Sequence, residues 1–397
     1  MKILFVTPYF YPAEYFGGPI QAVLKLGKEL VKRNHEVVVF TSDARDLKSR
    51  LKIRQTSIDG IEVHYLKNVS MLSATYSRLF ITPELCKTLD SNLSEFDVAY
   101  GNEYTTFQNI MLHKFACQYK VPYVVQARGS IPKIGRTGRK IIFDMLFGRK
   151  LLKDAAANIA LTRAEYTQYK KMGVPDSRIT TIPNGVNLKE FVNLPSVGSF
   201  RTKFGIAERK KIILYLGRIH SIKGIDVLVK AFAYGKQKGV LENALLVIAG
   251  SDDGYLENLK RLVKNYNLSS EVVFTGPLYG QKKLAAYVDS HVVVMPSYYE
   301  TFPNVALEAY GCSRCVIASN VESIADIVID GETGLLFESG NSKALATKIS
   351  FALSNPSEVQ RMGANARRFV ETSFSIDHVV DLFESLFKKI KADPDSL

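Results

Sequence analysis

The stretch YYETFPNVALEAYG, residues 298–311, carries two glutamates eight positions apart, Glu300 and Glu308. Pro303 reads as an early helical residue. Having no N–H, it leaves Asn304 and Val305 as the nearest free backbone donors at the helix start. Such donors, aligned with the helix dipole, suit a phosphate. Glu308 then rides on the helix and Glu300 stays in the loop. A carboxylate accepts two hydrogen bonds side by side, which suits paired hydroxyls of a sugar or a ribose. The plainer alternative leaves both glutamates as solvated charges.

Three other constellations could do chemistry. In LYLGRIHSIKGIDVLVKAF, residues 214–232, an apolar strand ends at Gly217, Arg218 and Lys223 follow, and a helix begins near Gly224. Two cations at the carboxyl end of a strand suit a diphosphate, with arginine gripping two oxygens and lysine adding a point charge. They are equally readable as surface cations. In TPYFYPAEYFGGPIQ, Gly17 and Gly18 precede Pro19, which suits a first helical turn. That loop is either a ligand loop or an ordinary turn. Cys312 and Cys315 form a lone CxxC. No second pair completes a zinc site, so they read as buried cysteines.

The elements that position these groups follow from apolar patterning. KILFVT, EVVVFT, DVAYGN and PYVVQA read as buried strands, with helical spacing through Ile20, Val23, Gly27, Leu30 and Val31. This is the pattern of a parallel sheet covered by helices. VNLPSVGSFRTK, residues 192–203, has no period and suggests a boundary. KIILYLG, ALLVIAG, EVVFTG, HVVVMPS, CVIASN and GLLFE then form a second strand series, and the tail from about 356 is helical. Three of these strands end in glycine, which lets a ligand approach the carboxyl edge. The 397 residues are expected to form two α/β domains, 1–195 and 196–371. No G-x-G-x-x-G follows the first strand, which argues against a dinucleotide-dependent dehydrogenase.

The net charge of +13 is uneven. Residues 1–195 hold 28 basic and 17 acidic side chains, and residues 196–397 hold 24 and 22. A basic first half suggests an anionic partner. No nucleic-acid recognition motif is present, so none is expected. Residues 131–155, IPKIGRTGRKIIFDMLFGRKLLKDA, include seven Lys/Arg among apolar residues. Residues 131–153 are either an amphipathic element on an anionic membrane or a helix with its apolar face on the core. No apolar run has membrane-spanning length, and MKILFVTPYF reads as a strand rather than a signal peptide. The expected location is the cytoplasm, or the periphery of the inner face of the cell membrane.

Together these residues resemble retaining glycosyltransferases of family 4, which have the GT-B fold, two Rossmann-like parallel-sheet domains facing a cleft. The E-x7-E motif matches Glu300 and Glu308, the glycine-rich loop matches Gly17 and Gly18, and the diphosphate pair matches Arg218 and Lys223. IPNGVN, residues 182–187, matches the stretch before the interdomain linker. The resemblance implies that Glu300 holds donor-sugar hydroxyls and Glu308 the ribose. Arg218 and Lys223 would bind the diphosphate, with Gly217, Asn304 and Val305 beside it. Phe274, Thr275 and Gly276 would line the base pocket. A C-terminal helix, about 372–397, would pack back on the first domain. Where many members have His-Gly, this chain has Arg128-Gly129; Arg128 could hold phosphate or sugar but not accept a proton.

The substrates implied are a nucleotide-sugar, taken as a UDP-sugar, and a lipid-linked or glycan acceptor, in cell-surface polysaccharide or glycan synthesis. No cofactor or metal is expected. The only D-x-D, Asp393-Pro394-Asp395, reads as chance. Two rivals remain, a GT-B-like sugar-nucleotide epimerase and a non-catalytic membrane-associated scaffold.

Overall fold

A computed structural model of the chain describes residues 1–392 other than 14, 16, 47, 71–79 and 133–136, and within them all side chains but those of Thr137 and Arg139. Asp393-Pro394-Asp395 lies outside the described residues. The chain divides into two compact units, Met1–Gly185 with Ile376–Leu397, and Val186–Ser375.

The first unit is built on an eight-stranded sheet. Its strands are β1 Lys2–Val6, β2 Glu36–Ser42, β3 Gln55–Ile58, β4 Ile61–Leu66, β5 Val98–Asn102, β6 Tyr123–Gln126, β7 Ala157–Ala160 and β8 Ile179–Thr181. The order is β3-β4-β2-β1-β5-β6-β7-β8, parallel throughout except that β3 runs antiparallel to β4. Alternate residues of β1 serve opposite faces. Ile3 and Phe5 enter one core layer, and Leu4 and Val6 the other.

The helix Ile376–Ala392 completes the first of these layers. Its apolar residues Ile376, Val379, Val380, Phe383, Phe387 and Ile390 follow helical spacing and are all buried. Each contributes about 1.5–3 kcal/mol by leaving water. Phe383 meets the Tyr100 ring edge-on at 6.0 Å, and Arg33 and His35 both pair with Glu384.

The second unit carries a six-stranded, all-parallel sheet. Its strands are β9 Lys211–Leu216, β10 Ala244–Ala249, β11 Val272–Gly276, β12 Val292–Met295, β13 Val316–Ser319 and β14 Gly334–Phe337, in the order β11-β10-β9-β12-β13-β14. The chain builds outward from β9 to β11, then returns to the other side of β9 with β12. The loops leaving β9 and β12 therefore diverge, and in open α/β sheets that switch point is where ligands sit.

The division falls at 185/186, earlier than the expected 195/196. The turn Leu188–Phe191 explains this, because Phe191 packs so tightly on Gly311 that a Cβ there would lie 2.8 Å from its ring. The amide of Val186 also donates to the carbonyl of Phe374. The second unit likewise runs to Ser375, not 371.

The segment 131–155 is not one continuous helix. It is interrupted, with a helix Thr137–Phe143, a π-turn Asp144–Gly148 and a helix Arg149–Asp154. Leu151 and Leu152 are buried, while Ile141, Ile142, Met145, Leu146 and Phe147 are exposed. Residues 133–136 lie outside the described part. Among the described residues no helix is long and apolar enough to cross a membrane.

Candidate functional site

The loops after β9 and β12 meet at the carboxyl edge of the second unit. The short turn Ser221–Lys223 follows β9, and Gly224 adopts φ +61 before the helix Ile225–Gln237. A Cβ on Gly224 would lie 2.0 Å from the carbonyl oxygen of Pro296, so only glycine lets the β9 loop close on the β12 loop. Gly250 after β10 is held to glycine in the same way, 1.7 Å from the Gly217 carbonyl oxygen. The amide of Tyr298 donates to the Ile222 carbonyl and ties the two loops together.

This closure brings Lys223 to Glu300. Lys223 Nζ lies 2.7 Å from Glu300 Oε1, and the two side chains are only 17% and 12% exposed. Ser297 donates to the same oxygen at 2.8 Å, and Ser323 Oγ donates to the Glu300 carbonyl. Glu300 Oε2 takes no hydrogen bond among the described residues. One carboxylate oxygen is thus fixed by the protein, and the other is available to a hydroxyl. Arg218 instead pairs with Asp253 at 2.6 Å, at 57% and 39% exposure. A surface pair of this kind is worth about 0–1 kcal/mol, so an anionic ligand can displace it. The Tyr215 hydroxyl donates to the Arg218 carbonyl. Burial, and then the Glu300 carboxylate, raises that phenol above its usual range, so it stays a donor.

Glu308 stands on the helix Asn304–Gly311 and is held from the helix Gly280–Asp289. Lys283 Nζ is 2.6 Å from Oε1, and the Tyr287 hydroxyl donates to Oε2 at 3.0 Å. Burial, then Glu308 itself, pushes the Tyr287 phenol well up. Lys283 and Tyr287 were not found by sequence reasoning. Their signal is the i, i+4 spacing that places them on one helical face. Two expectations need correction here. Pro303 is the cap residue rather than a helical one, and the Asn304 N–H is engaged by the Phe302 carbonyl at 3.0 Å. The closeness of that carbonyl removes Asn304 as a backbone donor, while the Val305 N–H makes no backbone bond among the described residues.

At the far edge of the sheet, Phe274 is half-buried with its ring against the core, and Gly276 has φ +71 at the end of β11. Cys312 and Cys315 are buried, and burial pushes both thiols up to about 12, so they are unreactive near neutral pH.

Gly17, Gly18 and Arg128 belong to the first unit. Gly17, at φ +79, caps the helix Gly18–Lys32. Arg128 is wired into the sheet edge. Its Nε donates to Asn102 Oδ1, Nη1 to Asn184 Oδ1 at 2.9 Å and Nη2 to the Tyr100 hydroxyl at 3.0 Å. Three of its five donors are therefore engaged within the protein. The buried Glu165 carboxylate fixes the same loop through the amides of Gly129 and Leu161, and burial raises its pKa despite them. Among the described residues one group of potential metal ligands gathers, His113, Cys117 and Asp154, and it contains none of these site residues.

Two family models match the chain. "Glycosyltransferase Family 4" matches residues 16–190 and "Glycosyl transferases group 1" matches residues 197–369, together most of its length. The chain belongs to the GT-B glycosyltransferases. An uncharacterized glycosyltransferase of Methanocaldococcus jannaschii is 28% identical over 98% of both chains. A D-inositol 3-phosphate glycosyltransferase of Rhodococcus jostii is 30% identical over 57% of this chain, and the match spans about half (51%) of that protein. Among solved structures, Anabaena HepE in complex with UDP superimposes with a TM-score of 0.81 at 18% identity, covering 98% of this glycosyltransferase and 100% of that chain. The likeness to HepE establishes the fold.

Proposed function

We propose that this glycosyltransferase moves a sugar from a nucleotide-diphosphate sugar, a UDP-sugar, to a hydroxyl of a lipid-linked or glycan acceptor, with retention at the anomeric carbon. The observation that carries this reading is the Lys223–Glu300 pair at the β9/β12 switch point, with one Glu300 oxygen unclaimed. The crystallised neighbour HepE holds UDP, which supports the choice of nucleotide.

In this reading Glu300 Oε2 accepts from donor-sugar hydroxyls and Glu308 from the ribose. Lys223, and Arg218 once released from Asp253, neutralise the diphosphate as the glycosidic bond breaks, an electrostatic task that preorganised cations perform at low cost. The Val305 N–H adds a donor at the helix start. The acceptor is held by the first unit, and its hydroxyl attacks from the face that the nucleotide leaves. The leaving phosphate oxygen takes the proton, since Arg128 cannot act as a base. No metal ion is required by this scheme. We assign the first unit's apolar and basic segment, 131–153, to the surface of an anionic membrane, and the product to cell-surface polysaccharide or glycan synthesis.

A screen of UDP-, GDP- and ADP-sugars by nucleotide release, with vesicle-borne and soluble glycan acceptors, tests the assignment. Transfer with an unchanged anomeric configuration, read by NMR of the product, is expected. Isomerised donor without any acceptor, or an inverted product, contradicts it.

A further inference from the structure

We infer that a groove beside residues 137–154 seats the apolar chain of a phosphate-bearing lipid, which is the acceptor; this deepens the glycosyl-transfer reading and rests on it. The groove encloses about 460 Å³, within the range of ligand pockets. Ile131, Pro132, Ile141, Met145 and Met172 line it, with Arg149 and Lys171. It starts at Ile131, in the loop that leaves the carboxyl end of β6 by way of Arg128, the sheet edge where ligand loops sit.

The apolar surface around it is a built feature. One exposed leucine is ordinary, but within residues 141–147 five apolar side chains, Ile141, Ile142, Met145, Leu146 and Phe147, are 43–71% exposed. The π-turn creates this run by shifting the helical phase, so that Leu151 and Leu152 reach the core while the residues before them face outward. Buried Asp144 anchors the turn, accepting from the Tyr104 hydroxyl at 2.9 Å and from Lys140 at 3.2 Å. Gly148 is required there, since a Cβ would lie 1.8 Å from the Tyr104 hydroxyl. Lys140 also offsets the Asp144 charge, so it does not repel an anion in the groove.

The cations name the occupant. Arg149 and Lys171, which line the groove, make no ion pair among the described residues, in contrast to Lys223 and Lys283. Two unpaired cations among apolar lining side chains complement an anionic head with an apolar tail. A neutral lipid leaves the cations unused, and a free sugar phosphate leaves the apolar strip exposed.

The chain has no tryptophan, so Met145→Trp at a 71%-exposed position provides a single fluorescent reporter in the full-length protein. It is titrated with farnesyl phosphate below its micelle concentration, with farnesol, with inorganic phosphate and with phosphatidylglycerol vesicles. The expected result is a saturable blue shift with farnesyl phosphate, binding about tenfold weaker for farnesol, and none for phosphate. Arg149→Glu with Lys171→Glu should weaken farnesyl phosphate about tenfold or more, and the milder Arg149→Gln with Lys171→Gln should do so in part, with unchanged melting. Equal affinity for farnesol, unchanged affinity in the charge variants, or a shift with vesicles but none with farnesyl phosphate overturns the inference. UDP binding is measured in parallel. If the wild type fails to bind UDP, the glycosyl-transfer reading falls, whichever way the lipid titration goes.

Discussion

Replacing Lys223 by alanine separates a structural ion pair from a working one. At 2.7 Å and an effective dielectric of about 20, the bare attraction to Glu300 is about 6 kcal/mol, most of which desolvation offsets. Removing one partner leaves a carboxylate of 12% exposure with Ser297 as its only side-chain donor among the described residues. That costs about 2–3 kcal/mol, or a melting temperature lower by roughly 5–10 °C for a unit of this size. Turnover should fall about 10²–10³-fold, the usual effect of removing one preorganised donor to developing charge. The control is Lys223→Met with Glu300→Gln, which removes both charges. Its stability should return to within about 1 kcal/mol of wild type, while turnover stays low. Differential scanning calorimetry and nucleotide release measure the two effects on the same samples. Turnover that survives in Lys223→Ala, or returns in the double variant, refutes the reasoning.

Other outcomes follow from the same geometry. Glu308→Ala should weaken UDP binding about tenfold by calorimetry, with less loss for Tyr287→Phe, which removes one of two groups orienting that carboxylate. Gly250→Ala should lower the melting temperature sharply, because its Cβ collides with a carbonyl that cannot move without disturbing the β9 end. Arg128→Lys should destabilise the first unit by about 1–3 kcal/mol in urea unfolding, because an ammonium cannot reach Asn102, Asn184 and Tyr100 together. The His35 hydrogen bond, and then Arg33, hold the Glu384 carboxyl below its usual 4.5 despite burial. The resulting stabilisation is present above pH 4.5 and disappears as pH falls through the lower folded value. Glu384→Gln should therefore melt below wild type at pH 7 and alongside it near pH 3; an equal gap at both pH values contradicts this.

The second unit was legible because its strands are uninterrupted apolar runs. KIILYLG, ALLVIAG and HVVVMPS all form central strands where expected, and the exit loops carry the charged residues. In the first unit, β3, β4, β7 and β8 escaped notice. QTSI is polar, ANIA and ITT are short, and IEVHYL alternates as a half-buried strand does. The two glutamates and Lys223 were visible, but the partners of Glu308 were not, since Lys283 meets it only through the packing of two separate helices. The hydrogen bonds of Arg128 were not legible because its partners Asn102, Asn184 and Tyr100 are distant in sequence. The break in the segment 131–155 was not legible, because a π-turn interrupts the helical period there.

The central claim is that the β9/β12 edge holds a nucleoside diphosphate through its two cations. Calorimetry of UDP against uridine, on the wild type and on Arg218→Ala with Lys223→Ala, tests it most directly. UDP should bind the wild type at least about tenfold more tightly than uridine, and the double variant should lose that preference. A double variant that still prefers UDP, or a wild type that binds no nucleoside diphosphate at millimolar concentration, contradicts the account.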